Sequence, residues 1–362
     1  MGLKTYSVIM KVTNDCNMNC KYCFVEKSAP RNRIISLETV KRLFDELEIH
    51  SPSQSIQLIW HGGEPLLASL DFFQGVINLQ KEYKKEYVNS IQTNGTLLTE
   101  EFARFFKENT FEIGVSLDGP KQLNDLVRVY RSGKSSFEKV VNNMMILKKL
   151  KIHFGLLSTL SKANVRNARE IYSFCKEYEL PLKFSLLYFS GNARENLDLL
   201  SVTPDECAEF LLELAKIWMN DPSPIEIDNL EKFLGNVLVH GKYPLSCSAL
   251  TNCHEGFLAI GPTGDIYPCC LFQGYEEYRY GNIHEISLAE IPNTIVWEKL
   301  DGRVDYINKV CSDCPIKEYC NGGCPFHAIA HYDKINKKDY FCKLYKKVIP
   351  TILEILMKKI RR

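Results

Sequence analysis

The sequence predicts an α/β protein, a partial (β/α)6 barrel followed by a small cysteine-rich domain. Six short apolar segments alternate with amphipathic segments in the first half of the chain, a pattern typical of parallel strands joined by right-handed crossovers. Polar motifs follow one strand after another, and groups at the carboxyl ends of neighbouring strands converge when the sheet curves. A doubly wound sheet is the alternative that these motifs disfavour.

The predicted strands are rich in apolar and β-branched residues and lie at 6–12, 56–60, 88–92, 112–117, 152–159 and 182–188. Predicted helices lie at 37–49, 72–83, 100–108, 137–150 and 165–178. Ser36, Asp71 and Thr99 are the predicted N-caps, because their side-chain oxygens can accept the free amide protons of a first helical turn. Three of the five predicted helices therefore begin behind a residue that can stabilise their start.

Four regions are predicted: the barrel at 1–200, a helical connector at 201–246, a metal-dense domain at 247–342 and a C-terminal helix at 343–362. In the connector, Thr203 is expected to cap a helix that reaches about residue 218, and a second helix is expected at 228–240. The metal-dense domain shows one predicted β-hairpin, at 257–267, and otherwise little periodicity. Its fold is therefore expected to depend on metal. Pro350 is expected to kink the last helix or to start another, and that helix is expected to pack against the barrel.

The charge and composition of the chain limit the classes of partner and the cellular compartment that can be expected for it. The formal net charge of +1 gives no argument for a nucleic-acid or anionic-membrane partner. The chain has no apolar run long enough for a membrane span and no signal-peptide layout at its start, so we expect a cytoplasmic protein without a membrane partner. Fourteen cysteines in a reducing compartment indicate metal ligands more than disulfides.

The first cysteine motif lies directly after the first predicted strand. Cys16, Cys20 and Cys23 are spaced Cys-x3-Cys-x2-Cys. Three thiolates on one loop can hold three irons of a cubane iron–sulfur cluster and leave the fourth iron open. They cannot complete a structural zinc site by themselves, because such a site takes four ligands.

A second motif, His61-Gly62-Gly63-Glu64-Pro65, follows the next strand. Paired glycines permit close backbone approach to a ligand, and Glu64 offers a carboxylate for an ammonium group. Together with Cys16-x3-Cys20-x2-Cys23-Phe24, this motif resembles the radical S-adenosylmethionine enzymes. The resemblance implies that the open iron binds S-adenosylmethionine, which is reductively cleaved to methionine and a 5′-deoxyadenosyl radical that abstracts hydrogen from substrate. It also implies a flavodoxin- or ferredoxin-type electron donor.

The resemblance assigns cofactor contacts to Phe24, Gly62, Gly63, Glu64, Thr93, Asn94, Ser116 and Arg128. Glu64 would bind the methionine ammonium group, and Ser116 and Arg128 would bind its carboxylate. Thr93 and Asn94 would shape the ribose side. The alternatives are a backbone-bonded hydroxyl for Ser116 and a surface ion pair for Arg128.

The later cysteines resemble the SPASM domain of peptide-modifying radical enzymes, which implies two auxiliary 4Fe–4S clusters and hence three clusters in all. The first auxiliary cluster would take Cys247, Cys253, Cys269 and Cys324, and the second would take Cys311, Cys314, Cys320 and Cys342. A zinc knuckle within residues 311–324 is the alternative, because Cys-x2-Cys pairs also bind zinc.

Over nearly its whole length the chain is similar to anaerobic sulfatase-maturating enzymes and to their relatives that modify ribosomal peptides. Sulfatase maturases convert a serine or cysteine to formylglycine, and in that family an aspartate follows the cysteine matching Cys269. Here Cys270 stands there, and a thiol can act as a base only if its pKa is lowered. We therefore expect a maturase that oxidises or crosslinks a ribosomal peptide, with Cys270 as candidate catalytic residue and formylglycine formation as the alternative. An electron carrier without turnover is a remote alternative.

Since the first predicted strand begins at about Tyr6, we expect no separate leader-binding domain before the barrel.

Overall fold

The computed structural model describes residue 4 and residues 6–238, 247–250 and 252–360. The barrel elements are β1 (Ser7–Thr13), α1 (Leu37–His50), β2 (Ser55–Gly62), α2 (Leu70–Gln80), β3 (Glu86–Thr93), α3 (Glu100–Glu108), β4 (Glu112–Ser116), α4 (Lys121–Val127), α5 (Phe137–Lys149), β5 (Phe154–Leu160), α6 (Ala168–Glu177) and β6 (Leu182–Leu186). There follow α7 (Leu197–Leu200), α8 (Pro204–Asn220), α9 (Asp228–Leu238), β7 (Phe257–Ile260), β8 (Asp265–Tyr267), β9 (Gly281–Asn282), α10 (Ile295–Val310), α11 (Lys317–Cys320), α12 (Pro325–Tyr332) and α13 (Cys342–Ile360).

One sheet runs through the molecule in the strand order β6-β5-β4-β3-β2-β1-β7-β8-β9. The strands β1 to β6 pair in parallel with their sequence neighbours, as six successive β/α units require. On β1, Val8, Met10 and Val12 are fully buried, which places alternate side chains against the helical layer. The α/β prediction and the partial barrel are therefore confirmed.

The helix starts follow the predicted capping chemistry with one correction. Ser36 and Thr99 accept the amide protons of Thr39 and Phe102, as predicted. Asp71 is not a cap, because α2 begins earlier and the Ser69 hydroxyl accepts the proton of Phe72. Asp71 lies instead in the first turn, where a carboxylate favours the helix dipole.

The cysteine-rich region is more regular than its sequence pattern indicates. The predicted hairpin is present as β7 and β8, and β7 also pairs in parallel with β1. The region contains α10, a helix of 16 residues capped by the Thr294 hydroxyl, which the sequence analysis did not predict. Its buried side chains belong to the same hydrophobic cluster as those of the barrel. The predicted dependence of this fold on metal stays a prediction.

The connector packs onto the barrel through α8 against α6 and α9 against β6, and the C-terminal helix packs onto the connector instead of directly onto the barrel as predicted. Thr203 caps α8 in a capping box with Glu206, as predicted, and residues 239–246 of the connector lie outside the described residues. The helix α13 continues through Pro350 and contacts α8 and α9. Its apolar face is buried through Leu344, Val348, Ile349 and Ile352. The predicted boundaries between regions stay a prediction.

Candidate active site

The sequence motifs lie at one edge of the barrel, at the carboxyl ends of adjacent strands. The loop of Cys16–Cys23 follows β1, the Gly62–Gly63 pair ends β2, Thr93 ends β3 and Ser116 ends β4. These four strands are neighbours in the sheet, so their ends converge, as predicted. The geometry therefore builds one site from four loops.

The two glycines after β2 allow a close approach of backbone to backbone. The amide of Gly63 donates to the carbonyl of Thr13 at 2.7 Å, and the amide of Glu64 donates to the carbonyl of Asp15 at 2.8 Å. A Cβ atom on Gly63 would lie 2.1 Å from the Asp15 carbonyl oxygen. The glycines therefore let the backbone after β2 lie against the segment that leads into Cys16. A contact of Gly62 and Gly63 with the cofactor stays a prediction.

Replacing Gly63 with alanine is therefore expected to lower the free energy of unfolding by about 3 kcal/mol or more, because backbone must move to admit the Cβ atom. Chemical denaturation monitored by circular dichroism measures this change. The matched control is Gly302→Ala in α10, where an added Cβ meets nothing within 4 Å. That substitution should raise stability by about 0.5–1 kcal/mol. Equal midpoints for both variants would contradict the close approach.

Glu64 is a buried carboxylate at the centre of this edge. Its side chain is fully shielded and accepts hydrogen bonds from the Leu66 amide at 3.0 Å, the Thr93 hydroxyl at 2.6 Å and the Asn94 amide at 2.7 Å. Burial raises the pKa of Glu64 to about 7, although these hydrogen bonds favour the ionised form. A carboxylate held in this way is ready to pair with a cation.

Thr93 and Asn94 organise the site around Glu64 and Cys16. The Asn94 side-chain amide lies 3.6 Å from the Cys16 sulfur and donates to Asn17 Oδ1 at 2.9 Å. The Met18 amide donates to the same sulfur at 3.4 Å. Hydrogen bonds to cysteine sulfur are one means by which proteins tune iron–sulfur clusters. The predicted ribose contacts of Thr93 and Asn94 stay a prediction.

The three cysteines of the first loop lie within electrostatic range of one another. Burial raises the pKa of Cys16 to about 11, and the charges of Glu64 and Cys23 add to this. Burial likewise raises the pKa of Cys20 to about 12, with contributions from Cys23 and Cys16. Thiols in this setting need a bound cation to ionise. The donor set therefore fits the three-cysteine side of a cubane cluster.

Arg128 forms a buried ion pair, so the alternative of a surface ion pair is wrong. Its Nε donates to Asp118 Oδ2 at 3.0 Å, and its guanidinium carbon lies 5.1 Å from the centre of the Tyr22 ring. The Tyr22 hydroxyl donates to the same oxygen of Asp118. The Ser116 hydroxyl accepts from Gln92 Nε2 at 2.9 Å instead of bonding backbone. The predicted binding of the cofactor carboxylate by Ser116 and Arg128 stays a prediction.

The later cysteines separate into two groups by their mutual electrostatic effects. Burial and then the charge of Cys247 raise the pKa of Cys253 to about 12, and burial, Cys247 and Cys253 all raise that of Cys324. Burial and the charge of Cys270, followed by the charges of Cys324 and Cys253, raise the pKa of Cys269. In the second group, burial raises the pKa of Cys320 to about 11, and Cys342, Cys314 and Cys311 act in the same direction. Cys270 therefore interacts with the first group as well, and the predicted ligand sets stay a prediction.

Within the described ranges, no three His, Cys, Asp or Glu side chains lie closely enough around one point to hold a single metal ion. The choice between auxiliary clusters and a zinc knuckle stays a prediction. All fourteen cysteines are free of disulfides.

Cys270 lies in a 3-10 turn, Cys270–Phe272, that follows β8. Burial raises the pKa of Cys270 to about 11, and the nearby Lys11 lowers it by less. The condition for a thiol base, a lowered pKa, is therefore not met, and a catalytic role for Cys270 stays a prediction.

The sequence reasoning did not single out Lys11. This lysine is 1% exposed, and its ammonium group lies 5.7 Å from the centre of the Phe24 ring. Burial lowers the pKa of Lys11 to about 8, while Cys270, Cys23 and Cys269 raise it. Its position within the first predicted strand, among apolar residues, was the sequence feature that could have identified Lys11 as a buried charge. Lys11 therefore places positive charge between the first cysteine loop and Cys269, and Phe24 packs beside it.

Two family models match the chain. The Radical SAM superfamily matches residues 10–175, and the SPASM iron–sulfur cluster-binding domain matches residues 247–315. A cysteine-type anaerobic sulfatase-maturating enzyme from Clostridium novyi is 32% identical, with 95% of this chain and 94% of that protein covered. The chain belongs to the anaerobic sulfatase-maturating enzyme family. It is a radical S-adenosylmethionine oxidoreductase with iron–sulfur clusters.

Other relatives agree with this assignment. A serine-type anaerobic sulfatase-maturating enzyme from Bacteroides thetaiotaomicron is 29% identical, with 94% of this chain and 87% of that protein covered. The solved structure of anSMEcpe with bound AdoMet and Cp18Cys peptide superposes with a TM-score of 0.85 at 26% identity, with 97% of this chain and 98% of that chain covered. Similarity to this family thus extends through both the barrel and the cysteine-rich domain.

The expectation of a ribosomal-peptide crosslinking enzyme is wrong. The structure of Streptococcus suis SuiB bound to precursor peptide SuiA has a TM-score of 0.69 but only 15% identity, with 94% of this chain and 76% of that chain covered, which shows a shared fold alone. The curated relatives that match at full length are sulfatase maturases. Cys270 in place of an aspartate is a difference at a single position, whereas the similarity to sulfatase maturases extends over the entire chain.

In the described part of the chain, no helix combines the length and apolar character needed to cross a membrane.

Proposed function

We propose that this enzyme oxidises a cysteine or serine side chain of a sulfatase to formylglycine. The observation that carries the proposal is full-length similarity to sulfatase maturases of both the cysteine and the serine type. A related structure contains a cysteine peptide together with AdoMet, which supports a peptide or protein as substrate here.

The first cluster and the cofactor would be held at the barrel edge. Cys16, Cys20 and Cys23 would ligate the cluster, and Glu64 would pair with the ammonium group of S-adenosylmethionine. The bound cofactor supplies a carbon radical that takes hydrogen from the substrate side chain. The chain's own contribution is to fix Glu64 with three donors and to hold Arg128 and Tyr22 on Asp118 beside the cysteine loop.

Two auxiliary 4Fe–4S clusters complete the proposal, with the ligand sets predicted above. The mutual charge effects within each of the two groups of cysteines support these sets. Cys270 lies beside the first set, because it directly follows Cys269. A reducing flavodoxin- or ferredoxin-type protein is the proposed electron donor, supported by the family's need for a low-potential electron.

The substrate side chain is proposed to be cysteine in preference to serine. No carboxylate follows Cys269, and Cys270 is a protonated thiol at neutral pH because burial raises its pKa to about 11. A substrate thiol has an ordinary pKa near 8.5 and releases its proton far more readily than an alcohol. The site therefore relies on an acidic substrate group.

Paired sulfatase-motif peptides that differ only in cysteine or serine test this proposal. The reconstituted enzyme, dithionite and S-adenosylmethionine should convert the cysteine peptide to an aldehyde at least tenfold faster than the serine peptide. Hydrazide capture and mass spectrometry measure the aldehyde. Faster conversion of serine would overturn the preference. Steady release of 5′-deoxyadenosine without aldehyde from either peptide would overturn formylglycine formation.

A further inference from the structure

Arg303 is a buried cation whose hydrogen-bonding capacity is only partly used. It lies on α10, is 1% exposed, and is among the largest fully buried side chains. One terminal nitrogen, Nη2, donates to the carbonyls of Gly322 and Gly323, each at 3.1 Å. Its Nε and Nη1 are buried and have no hydrogen-bond partner among the described residues. Two donor positions of a buried guanidinium group therefore lack an acceptor.

Such donors require a partner. Leaving a buried hydrogen-bonding group unpaired costs about 1–3 kcal/mol, and more when the group is charged. A guanidinium group cannot escape the cost by losing its proton, because its pKa is above about 12. The arrangement therefore indicates an acceptor that belongs at this place in the working enzyme.

The surroundings of Arg303 identify the kind of acceptor. Burial lowers the pKa of Arg303, while the charges of Cys324, Cys253, Asp339 and Cys311, in that order, raise it. Arg303 in turn lowers the pKa of Cys253. The geometry agrees, because Gly323, whose carbonyl accepts from Nη2 at 3.1 Å, directly precedes Cys324 of the first auxiliary set.

Asp339 is engaged by other donors. Its Oδ2 accepts from the Cys324 amide at 2.8 Å and pairs with His327 Nδ1 at 2.9 Å, and its Oδ1 accepts from the Phe341 amide at 2.7 Å. Those donors hold the Asp339 carboxylate in place, and none of them comes from Arg303. The other acidic groups whose charges act most strongly on Arg303 are Cys324 and Cys253.

We propose that Nε and Nη1 of Arg303 donate hydrogen bonds to sulfur atoms of the auxiliary cluster held by Cys247, Cys253, Cys269 and Cys324, and that Arg303 thereby raises the reduction potential of that cluster. The inference rests on the auxiliary clusters of the proposed function. Reduction adds one negative charge to a buried cluster. A fixed positive charge and N–H donors at its sulfurs stabilise that reduced form.

Arg303 also has a structural contact that the experiment must separate from this role. Residues Asn321, Gly322 and Gly323 all have left-handed backbone, with φ of 46°, 78° and 72°. Nη2 binds two carbonyls of this turn, which links Cys320 of one ligand set to Cys324 of the other. Loop support uses Nη2 alone, so it does not account for the buried Nε and Nη1.

The test is a redox titration of the reconstituted full-length enzyme, followed by electron paramagnetic resonance, with iron counted in the same samples. Arg303→Gln removes the charge and keeps an amide donor for the turn. We expect wild-type iron content and at least a tenfold shift of one cluster's reduction equilibrium toward the oxidised form, which is about 59 mV for a one-electron couple. The control is Arg279→Gln, since Arg279 pairs with Asp265 and has no cysteine among the groups that shift its pKa. Its potentials should equal those of the wild type.

Full iron content with unchanged potentials in Arg303→Gln would overturn the inference. If Arg303→Gln loses iron, Arg303→Lys distinguishes tuning of the cluster from support of the turn. Lysine keeps the positive charge but lacks the forked N–H donors of arginine. A retained cluster of lowered potential supports the proposal, and equal iron loss in both variants reduces Arg303 to a support of the turn. A wild-type enzyme with about four irons would instead refute the auxiliary clusters themselves. These readouts need no peptide, so they are independent of formylglycine formation.

Discussion

Replacing Cys16 with alanine is expected to reduce the release of 5′-deoxyadenosine from S-adenosylmethionine to background. Cys16 is one of three proposed ligands of the first cluster, and its sulfur already accepts hydrogen bonds from Met18 and Asn94. Two cysteines cannot hold a cubane in place, so iron should fall from about twelve to about eight per chain. Anaerobic assay with dithionite and an iron count measure both quantities.

The control for this prediction is Cys175→Ala. Cys175 is a fully buried thiol on α6, and it belongs to none of the three proposed ligand sets. Its replacement should retain iron and cofactor cleavage and should cost about 1 kcal/mol of stability through a small cavity. Undiminished cleavage in the Cys16 variant would refute the assignment of the first cluster. Equal loss in the Cys175 variant would show that the assay reports folding instead.

Glu64→Gln is expected to weaken binding of S-adenosylmethionine roughly 10–100-fold, since a charge-assisted hydrogen bond contributes about 1.5–3 kcal/mol. An amide also cannot accept all of the bonds that Thr93, Asn94 and Leu66 now donate to both carboxylate oxygens. Anaerobic equilibrium binding to the reconstituted enzyme measures the change. Glu100→Gln, at an exposed position on α3, is the matched control and should bind as the wild type does.

The same carboxylate predicts a pH dependence of binding. Because burial raises the pKa of Glu64 to about 7, the ionised form that attracts an ammonium group is lost as the pH falls through 7. Wild-type affinity should therefore fall between pH 8 and pH 6, approaching tenfold per unit below the pKa. The Glu64→Gln variant should show no such slope. A wild-type affinity that is flat over this range would contradict ammonium binding by Glu64.

The barrel was predictable because its signals are local. Strand-length apolar segments, the caps Ser36 and Thr99, and the polar motif after each strand require only neighbouring residues. The cysteine-rich domain was less predictable. The helix α10 has an interior Gly302 and a mixed polar sequence, and its burial depends on packing against distant segments. The strand β7 pairs with β1 in parallel, a partner that no local pattern indicates.

The sequence by itself determined the chemistry of the cofactors. Residue type and spacing decide which metal group a short loop can hold, so Cys16, Cys20 and Cys23 indicated an open cluster, and the cysteines at 247–342 indicated auxiliary ones. Only the tertiary structure brought Arg303 to Cys253 and Cys324, and Lys11 to Cys270. It also showed Gly63 to be a backbone contact with Asp15. Those relations join residues far apart in the chain, so no local pattern indicates them. Lys11 lies near Cys270 because β1 pairs with β7, the first strand of the domain that carries the later cysteines.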